Sequence, residues 1–477
     1  MKLSALEGFS QMRGIDPHKV NGVASIERAP VALTAASTAL GSQVNWTVVG
    51  PDGVVYFLTN GHLLFSTTIG GTTFSPIAGI PSAGTGNGLA YFKGHIVVVG
   101  NQSIDCYKLS NSTWYTLDET LTTSRTGYNP AFVGQDDKLY IGNGQRVARI
   151  DVTGTFDANS TGTYDVVQSA LLLPEDYSVS CFGELGDRLM VGTLFGTDTT
   201  NPSKTADIFP WNRDTASSFS LPIRIGDEGV NSMVTSNNLL YISAGIKGTV
   251  YVTNGSSTSL VFSVPLDPKE NSASTITRFY VKPDAFDFLG DEILLGITQG
   301  SDQNNPTHNP IGVYGHFNGA TRFIGNGSYA KDGSDGTKVR ITSVYSISPS
   351  IFYVCWWSAS TYGIDYYGTN NSKITSYGAY LHTPLYFVGT PRLKSTIEYF
   401  DVFFKKPLVS GDGIKISFRT SDSGSFTLMK TIDFATYGAI SSFTFPYSIP
   451  NLTMVQFLIE ITASSTTTPE LIQVVFQ

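Results

Sequence analysis

Five acidic residues, Asp187, Asp227, Glu228, Asp291 and Glu292, stand beside or one residue from glycine in short polar stretches of the chain. Glycoside hydrolysis needs two carboxyl groups facing each other across a sugar-binding cleft, one as acid and the other as nucleophile or base. Tight turns call for the same residues, because Asp and Gly accept the left-handed backbone of a hairpin. No motif spacing ties any two of these acids together. The turn reading therefore stands first and the catalytic reading second.

Other candidates divide the same way. Asp332 and Asp335 lie in the Gly-rich stretch "YAKDGSDGTKV". They offer two hard oxygen ligands to calcium, which wants several more; a surface hairpin is the alternative, and no other cofactor is indicated. His308 and His316 flank "NPIGVYG" without a Cys, Glu or His at ligand spacing. "TSDSGSFTL" (420–428) resembles the Asp-box turn of sialidases, but it occurs once and outside the repeat described below. The aromatic tract "YVCWWSASTYGIDYYG" has the residue types that stack on sugars, although alternating aromatics also build cores. Cys106, Cys181 and Cys355 lie far apart, which suits buried thiols better than a metal site. Metalloprotease, P-loop, dinucleotide and hydrolase-elbow motifs are absent.

Composition narrows the class. Of 477 residues, 41% are hydrophobic and only 14% are charged, against roughly 25% charged in ordinary soluble domains. Such a chain supports a large core with many turns and few surface helices. The net charge is −8 and the basic residues are scattered, which argues against nucleic acid, since that partner rewards a clustered basic face. The N-terminus has no apolar signal region, and no apolar run approaches the roughly 20 residues of a membrane span.

The turns that carry these residues belong to a repeat. "GLAYFKGHIVVVGNQSIDCYKLSNSTWYTL" (88–117) reads as strand, turn, strand, turn, strand, and related units precede and follow it. Taking the centre of each second strand as Tyr56, Val97, Tyr140, Met190, Tyr241, Leu294 and Tyr353, the gaps by subtraction are 41, 43, 50, 51, 53 and 59 residues. Propeller blades repeat at about 40 to 50 residues. The expectation is an all-β chain: a seven-bladed β-propeller over 40–377 and a jelly-roll-like β-sandwich over 378–477. An N-terminal arm and closing strand occupy 1–39. The segment "GVASIERAPVALT" is placed to latch the last blade. From Tyr377–Leu381 onward the strands lengthen, which marks the second domain.

The two ends carry a family resemblance. "GFSQMRGIDPHKVNGVASIERAPVALT" (8–34) with "VNWTVVGPDGVVYFLTNGHLLFSTT" looks like the opening of structural proteins in tailed bacteriophages. "HTPLYFVGTPRLKSTIEYFDVFFKKPLVSGDGIKISFRTSDSGSFTLMKTI" (382–432) is similar to their C-terminal sandwich. The resemblance implies a virion protein of the tail, a nozzle, tail-tip or adaptor subunit. Such a subunit forms a symmetric homo-oligomeric ring against other tail proteins, is made in the host cytoplasm and has no catalytic residues. A carbohydrate-binding or glycan-processing propeller for attachment to the host surface is the alternative, and a capsid decoration protein a third. The arm shows no strand pattern before Gly22. It is expected to dock on a neighbouring virion protein through Phe9, Met12 and Ile15, with Arg13 and Lys19 at the rim.

Overall fold

The computed structural model describes residues 2–4, 11–13, 15–16, 25–26, 30–125, 127–195, 205–216, 218–264, 279–299, 312–317, 320–325, 340–358, 361–368, 379–383, 386–388, 390, 393–421, 424–463 and 468–476. The described chain is all-β, with one single-turn α-helix, α1 (Phe434–Tyr437). It divides into two compact units, one of residues 31–313 and 326–366, the other of 1–30, 314–325 and 367–477.

Short strands open the chain: β1 (Lys2–Ser4), β2 (Gln11–Arg13), β3 (Ile15–Asp16), β4 (Ser25–Ile26), β5 (Val31–Ala32) and β6 (Thr34–Ala35). Consecutive meanders then follow in the first unit. Strands β7 (Val44–Val49), β8 (Val54–Thr59), β9 (Leu64–Thr68) and β10 (Thr73–Ile77) form one sheet, with β6 added to β10. A second contains β11 (Gly88–Phe92), β12 (His95–Val99), β13 (Ile104–Lys108) and β14 (Thr113–Thr116). A third contains β15 (Ala131–Val133), β16 (Leu139–Asn143), β17 (Arg146–Val152) and β18 (Tyr164–Leu172). The fourth is β19 (Tyr177–Leu185), β20 (Arg188–Phe195), β21 (Thr205–Trp211) and β22 (Ile223–Glu228). The fifth is β23 (Val230–Ser236), β24 (Leu239–Ala244), β25 (Thr249–Thr253) and β26 (Thr258–Ser263).

Next come β27 (Phe279–Leu289) and β28 (Glu292–Gln299), where the Ile297 N–H donates to Gly312 O at 2.8 Å. Strands β29 (Val313–Phe317) and β30 (Ala320–Gly325) follow in sequence. The last sheet of this unit is β31 (Arg340–Ser348), β32 (Ile351–Ser358) and β33 (Thr361–Tyr367), and its outer strand is β5 from the other end of the unit. Val31 pairs with Tyr366 and Ala32 with Asp365, and the Leu33 N–H donates to Ile364 O at 2.9 Å.

The first strand of each sheet touches the next in cyclic order: β7 meets β11, β11 meets β15, and so through β19, β23, β27 and β31 back to β7. The second strands are largely buried, with every residue of β12 and β16 inside, while the outer strand β14 is partly exposed. A sheet covered on both faces by its neighbours has that pattern.

Turn chemistry sets the register. Asn237 and Asn238 both take positive φ between β23 and β24, as a two-residue hairpin demands. Between β7 and β8, and again between β15 and β16, the sequence runs Val-Gly-x-Asp-x-x-x-Tyr. There the Tyr56 hydroxyl donates to Asp52 at 2.8 Å and that of Tyr140 to Asp136 at 2.7 Å. A Cβ on Gly134 would stand 2.5 Å from Asp136 Oδ1 and 3.0 Å from the Tyr140 ring, so the device needs glycine there.

The other unit adds β34 (Ala379–His382), β35 (Tyr386–Phe387), β36 (Ser395–Phe404), β37 (Gly413–Arg419), β38 (Thr427–Asp433), β39 (Ser442–Leu452), β40 (Met454–Thr462) and β41 (Leu471–Phe476). One sheet runs β1-β41-β36-β39; the other runs β38-β37-β40-β34-β2-β30-β29, with β35 on β40. Their inner faces share a core in which Phe400 stacks on Phe445 at 5.2 Å and Phe457 on Phe476 at 4.0 Å.

The N-terminal segment departs from the expected strandless arm. Met12 and Arg13 pair in parallel with Arg322 and Phe323, and Gln11 to Arg13 pair antiparallel with His382 to Tyr380. Ile15 pairs with Ile26. A three-residue strand is too short to show a period of two, and partners more than 300 residues away leave no local signal. Phe9 and Lys19 lie outside the described residues.

Candidate functional site

Strands that are not neighbours in the cyclic order can touch only across its middle, where β27, β7 and the connection into β15 meet. Lys282 on β27 donates from Nζ to Tyr128 Oη at 2.5 Å, in the connection that leads into β15. The ammonium lies 5.2 Å from the Tyr128 ring centroid. Trp46 on β7 meets the same tyrosine edge-to-face, with centroids 5.9 Å apart and an interplanar angle of 84°. Trp46 is only 6% exposed, and its Nε1–H has no hydrogen-bond partner among the described residues.

Two residues further along β27, Asp284 reaches past β31 to β7. Its Oδ2 accepts the Thr47 N–H at 2.8 Å, and the Thr47 and Ser343 hydroxyls lie 2.7 Å apart. Cys355 Sγ is 3.9 Å from the Thr47 hydroxyl. Asp287 accepts the Ser346 N–H at 2.7 Å and the Phe288 N–H at 2.8 Å. Both Asp side chains keep some surface open while protein packs closely round them, as expected of groups lining a narrow enclosure.

Burial pushes both carboxyls upward by penalising their charged forms. Asp284 rises well above the ordinary carboxylate range through burial, opposed by its bonds to Ser343 and the Thr47 N–H and reinforced by the charge of Asp287. Asp287 rises to about 6 through burial, opposed by the Ser346 and Phe288 N–H donors. Tyr345 is pushed up to about 12 by burial and by Asp287 and Asp284. A carboxyl poised near neutrality is what acid–base chemistry uses. Here, though, both Asp side chains bond to strands β7, β27 and β31, so they pin the cyclic arrangement together.

A second buried polar group lies between the first two sheets. His62 Nε2 is 3.9 Å from Asp105 Oδ2, and Asp105 Oδ1 accepts from Ser82 at 2.9 Å and Thr116 at 2.6 Å. Burial lowers the His62 pKa against the pull of Asp105.

The residues singled out in the sequence sit elsewhere. Asp187 is exposed on the β19–β20 turn, whereas Asp227 and Glu228 end β22 at the opposite end of that sheet. Asp227 accepts the Tyr251 hydroxyl at 2.9 Å. Asp291 is exposed on the β27–β28 turn, and Glu292 beside it is buried. Asp187 is thus not brought together with Asp227 and Glu228. His316 is 9% exposed, and its Nδ1 lies 3.1 Å from the Thr321 hydroxyl.

The aromatic tract forms β32 and β33, where Tyr353 and Trp356 are buried and Tyr353 packs on Phe57. All three cysteines are buried and free. Asp332, Asp335, His308 and the Asp422 of the Asp-box-like turn lie outside the described residues. Among the described residues, no group of three or more His, Cys, Asp or Glu converges to hold a metal, and no helix is long and apolar enough to cross a membrane.

Sequence reasoning passed over Trp46, Tyr128, Lys282, Asp284 and Asp287. "FYVKPDAFDFL" reads as an ordinary strand, and nothing local in it points to residues 47 or 128.

No family model matches the chain, and no curated protein matches it. Among solved structures the chain is similar to YCF48 bound to D1 peptide, at 9% identity over 75% of this chain and 98% of that one, with a TM-score of 0.43. It is also similar to the Cps50 (Swd1) β-propeller domain of Myceliophteria thermophila (10% identity, 70% and 99% coverage, TM-score 0.46). The RRP9 WD40 repeats are a third likeness (11%, 72% and 99%, TM-score 0.45).

Proposed function

We propose that the protein is a non-enzymatic structural component of a tailed-phage virion, a tail subunit that assembles into a symmetric ring through protein–protein contacts. In this reading, the unit of residues 31–313 and 326–366 is a seven-bladed β-propeller closed by Val31–Ala32. The strands from β36 to β41 belong to a β-sandwich. The cyclic order of first strands supports the blade count, and the shared aromatic core of the two sheets supports the sandwich.

The observation that carries a role through surfaces is an apolar patch on the outside of β36. Tyr399 and Phe403 are 49% and 37% exposed there, and Ile472, 36% exposed, adjoins Gln473, the partner of Phe403. Phe387 and Leu393, each 76% exposed, precede them in the chain. Asp401 lies between Tyr399 and Phe403 on the same face; outward aromatic side chains interleaved with polar ones are the composition of partner surfaces. The tail assignment itself rests on the resemblance of the two ends of the sequence.

The test is the double variant Tyr399→Asp with Phe403→Asp. Both side chains face outward, so the variant should fold and melt like the wild type. It should also fail to enter purified particles. Wild-type incorporation would remove the patch from assembly.

A second reading, a glycan-processing propeller, is favoured by one observation, the carboxyl pair Asp284 and Asp287. Release of reducing ends from host capsule or lipopolysaccharide, lost in Asp287→Asn, would establish it in place of the first.

A further inference from the structure

We infer that the end of the enclosure where Lys282, Tyr128 and Trp46 meet is an oxyanion site, built to take a carboxylate or phosphate group. The inference is independent of the virion reading. It rests on two donors that the fold leaves under-used.

The first donor is Lys282. An ammonium carries three N–H donors, and here one goes to a neutral phenol. Among the described residues no carboxylate pairs with Nζ; the ion pairs of the unit lie at other lysines and arginines. A cation drawn out of bulk water without a counter-charge is costly, and a bound anion removes that cost.

The second donor is the Trp46 indole N–H, buried with no partner among the described residues. Buried Trp normally finds an acceptor. The two donors reach the same tyrosine from strands β7 and β27. An oxyanion entering between them would take the ammonium as its charge partner, displacing the Tyr128 hydroxyl from it, and the indole as a neutral donor.

The other titratable groups facing this region are Asp284, Asp287 and Tyr345. Burial holds Asp284 toward its neutral form and keeps the tyrosine protonated. Asp287, raised to about 6, carries its charge at neutral pH and spends it on the Ser346 and Phe288 N–H groups. Lys282 is the charge that touches Tyr128, and its sign selects an anion.

The experiment follows the indole N–H signals of the five tryptophans by nitrogen-15 NMR of the full chain. Sodium phosphate and sodium acetate are titrated separately, each against sodium chloride at equal ionic strength. The expected result is one indole signal that moves saturably, with a Kd of about 1 mM or tighter. Trp46→Phe should remove that signal. The stronger of the two anions identifies the source as phosphate or carboxylate.

Lys282→Met should weaken the response at least about tenfold, a loss of about 1.4 kcal/mol. Tyr128→Phe, which removes the internal competitor for Nζ, should leave binding at least as tight. Should Lys282→Met not fold, the wild-type and Tyr128→Phe titrations decide alone. Absence of any saturable shift, or an unchanged response in a folded Lys282→Met protein, overturns the site.

Discussion

Replacing Asp287 by Asn should flatten the pH dependence of stability by an amount the structure sets. The folded-state pKa of about 6 lies above the ordinary 3.8 because the carboxyl is buried. The folded chain therefore binds this proton more tightly than the unfolded chain. Its contribution to stability is full below about pH 4 and is lost as pH rises through about 6. A rise of about two units, at about 1.4 kcal/mol each, gives about 3 kcal/mol across that window.

Asn keeps the size of the side chain but cannot ionise. It also gives up one of the two N–H bonds, to Ser346 or Phe288, a cost of about 1–3 kcal/mol at every pH. The difference between variant and wild type isolates the titration from the chain's other acids. Thermal melts at about pH 4 and about pH 8 should show the variant gaining on wild type by about 5 °C at the higher pH. A gap between the two proteins that does not change with pH would refute the buried-carboxyl account of β27, β31 and β7.

Other expectations follow from single contacts. Leu33→Pro removes the N–H that donates to Ile364; the closing strand should detach, with a loss of about 1–3 kcal/mol and faster proteolysis near residues 31–35. Gly134→Ala drives a Cβ against Asp136 Oδ1, so the Tyr140–Asp136 bond should break at a cost of about 1–3 kcal/mol, read as a lower melting temperature that Gly162→Ala, where a Cβ meets open space without a positive φ, should not match. Removing residues 1–13 takes away β1 and β2 and bares the edges of β30, β34 and β41. Strand edges left open invite pairing between molecules, so light scattering should report association in the truncated protein and not in the full chain.

The all-β class was legible in the sequence, and the reason is local. Each chosen centre, from Tyr56 and Val97 to Leu294 and Tyr353, falls on the second strand of its sheet. Hairpin turns announce themselves within four to eight residues, as the Val-Gly-x-Asp-x-x-x-Tyr pairs show. The acids beside those turns were equally visible, and the turns account for Asp187 and Asp291.

The enclosure was not legible, because its contacts join residues 47 to 284 and 128 to 282. No periodicity links such distant positions; only closing the cycle of strands brings them together. The pairing of Met12 with Arg322 and Leu381 escaped for the same reason, and its three residues carry no alternation of their own.

The measurement that bears most directly on the proposed role is a reconstruction of the intact tailed particle at side-chain resolution, with the protein's presence established by mass spectrometry of the same preparation. The account predicts a symmetric ring of copies in the tail, each with a seven-bladed propeller, and with Tyr399 and Phe403 covered by a neighbouring subunit. Particles that are complete and infectious without the protein, or a ring in which that face of β36 stands open to solvent, would contradict it.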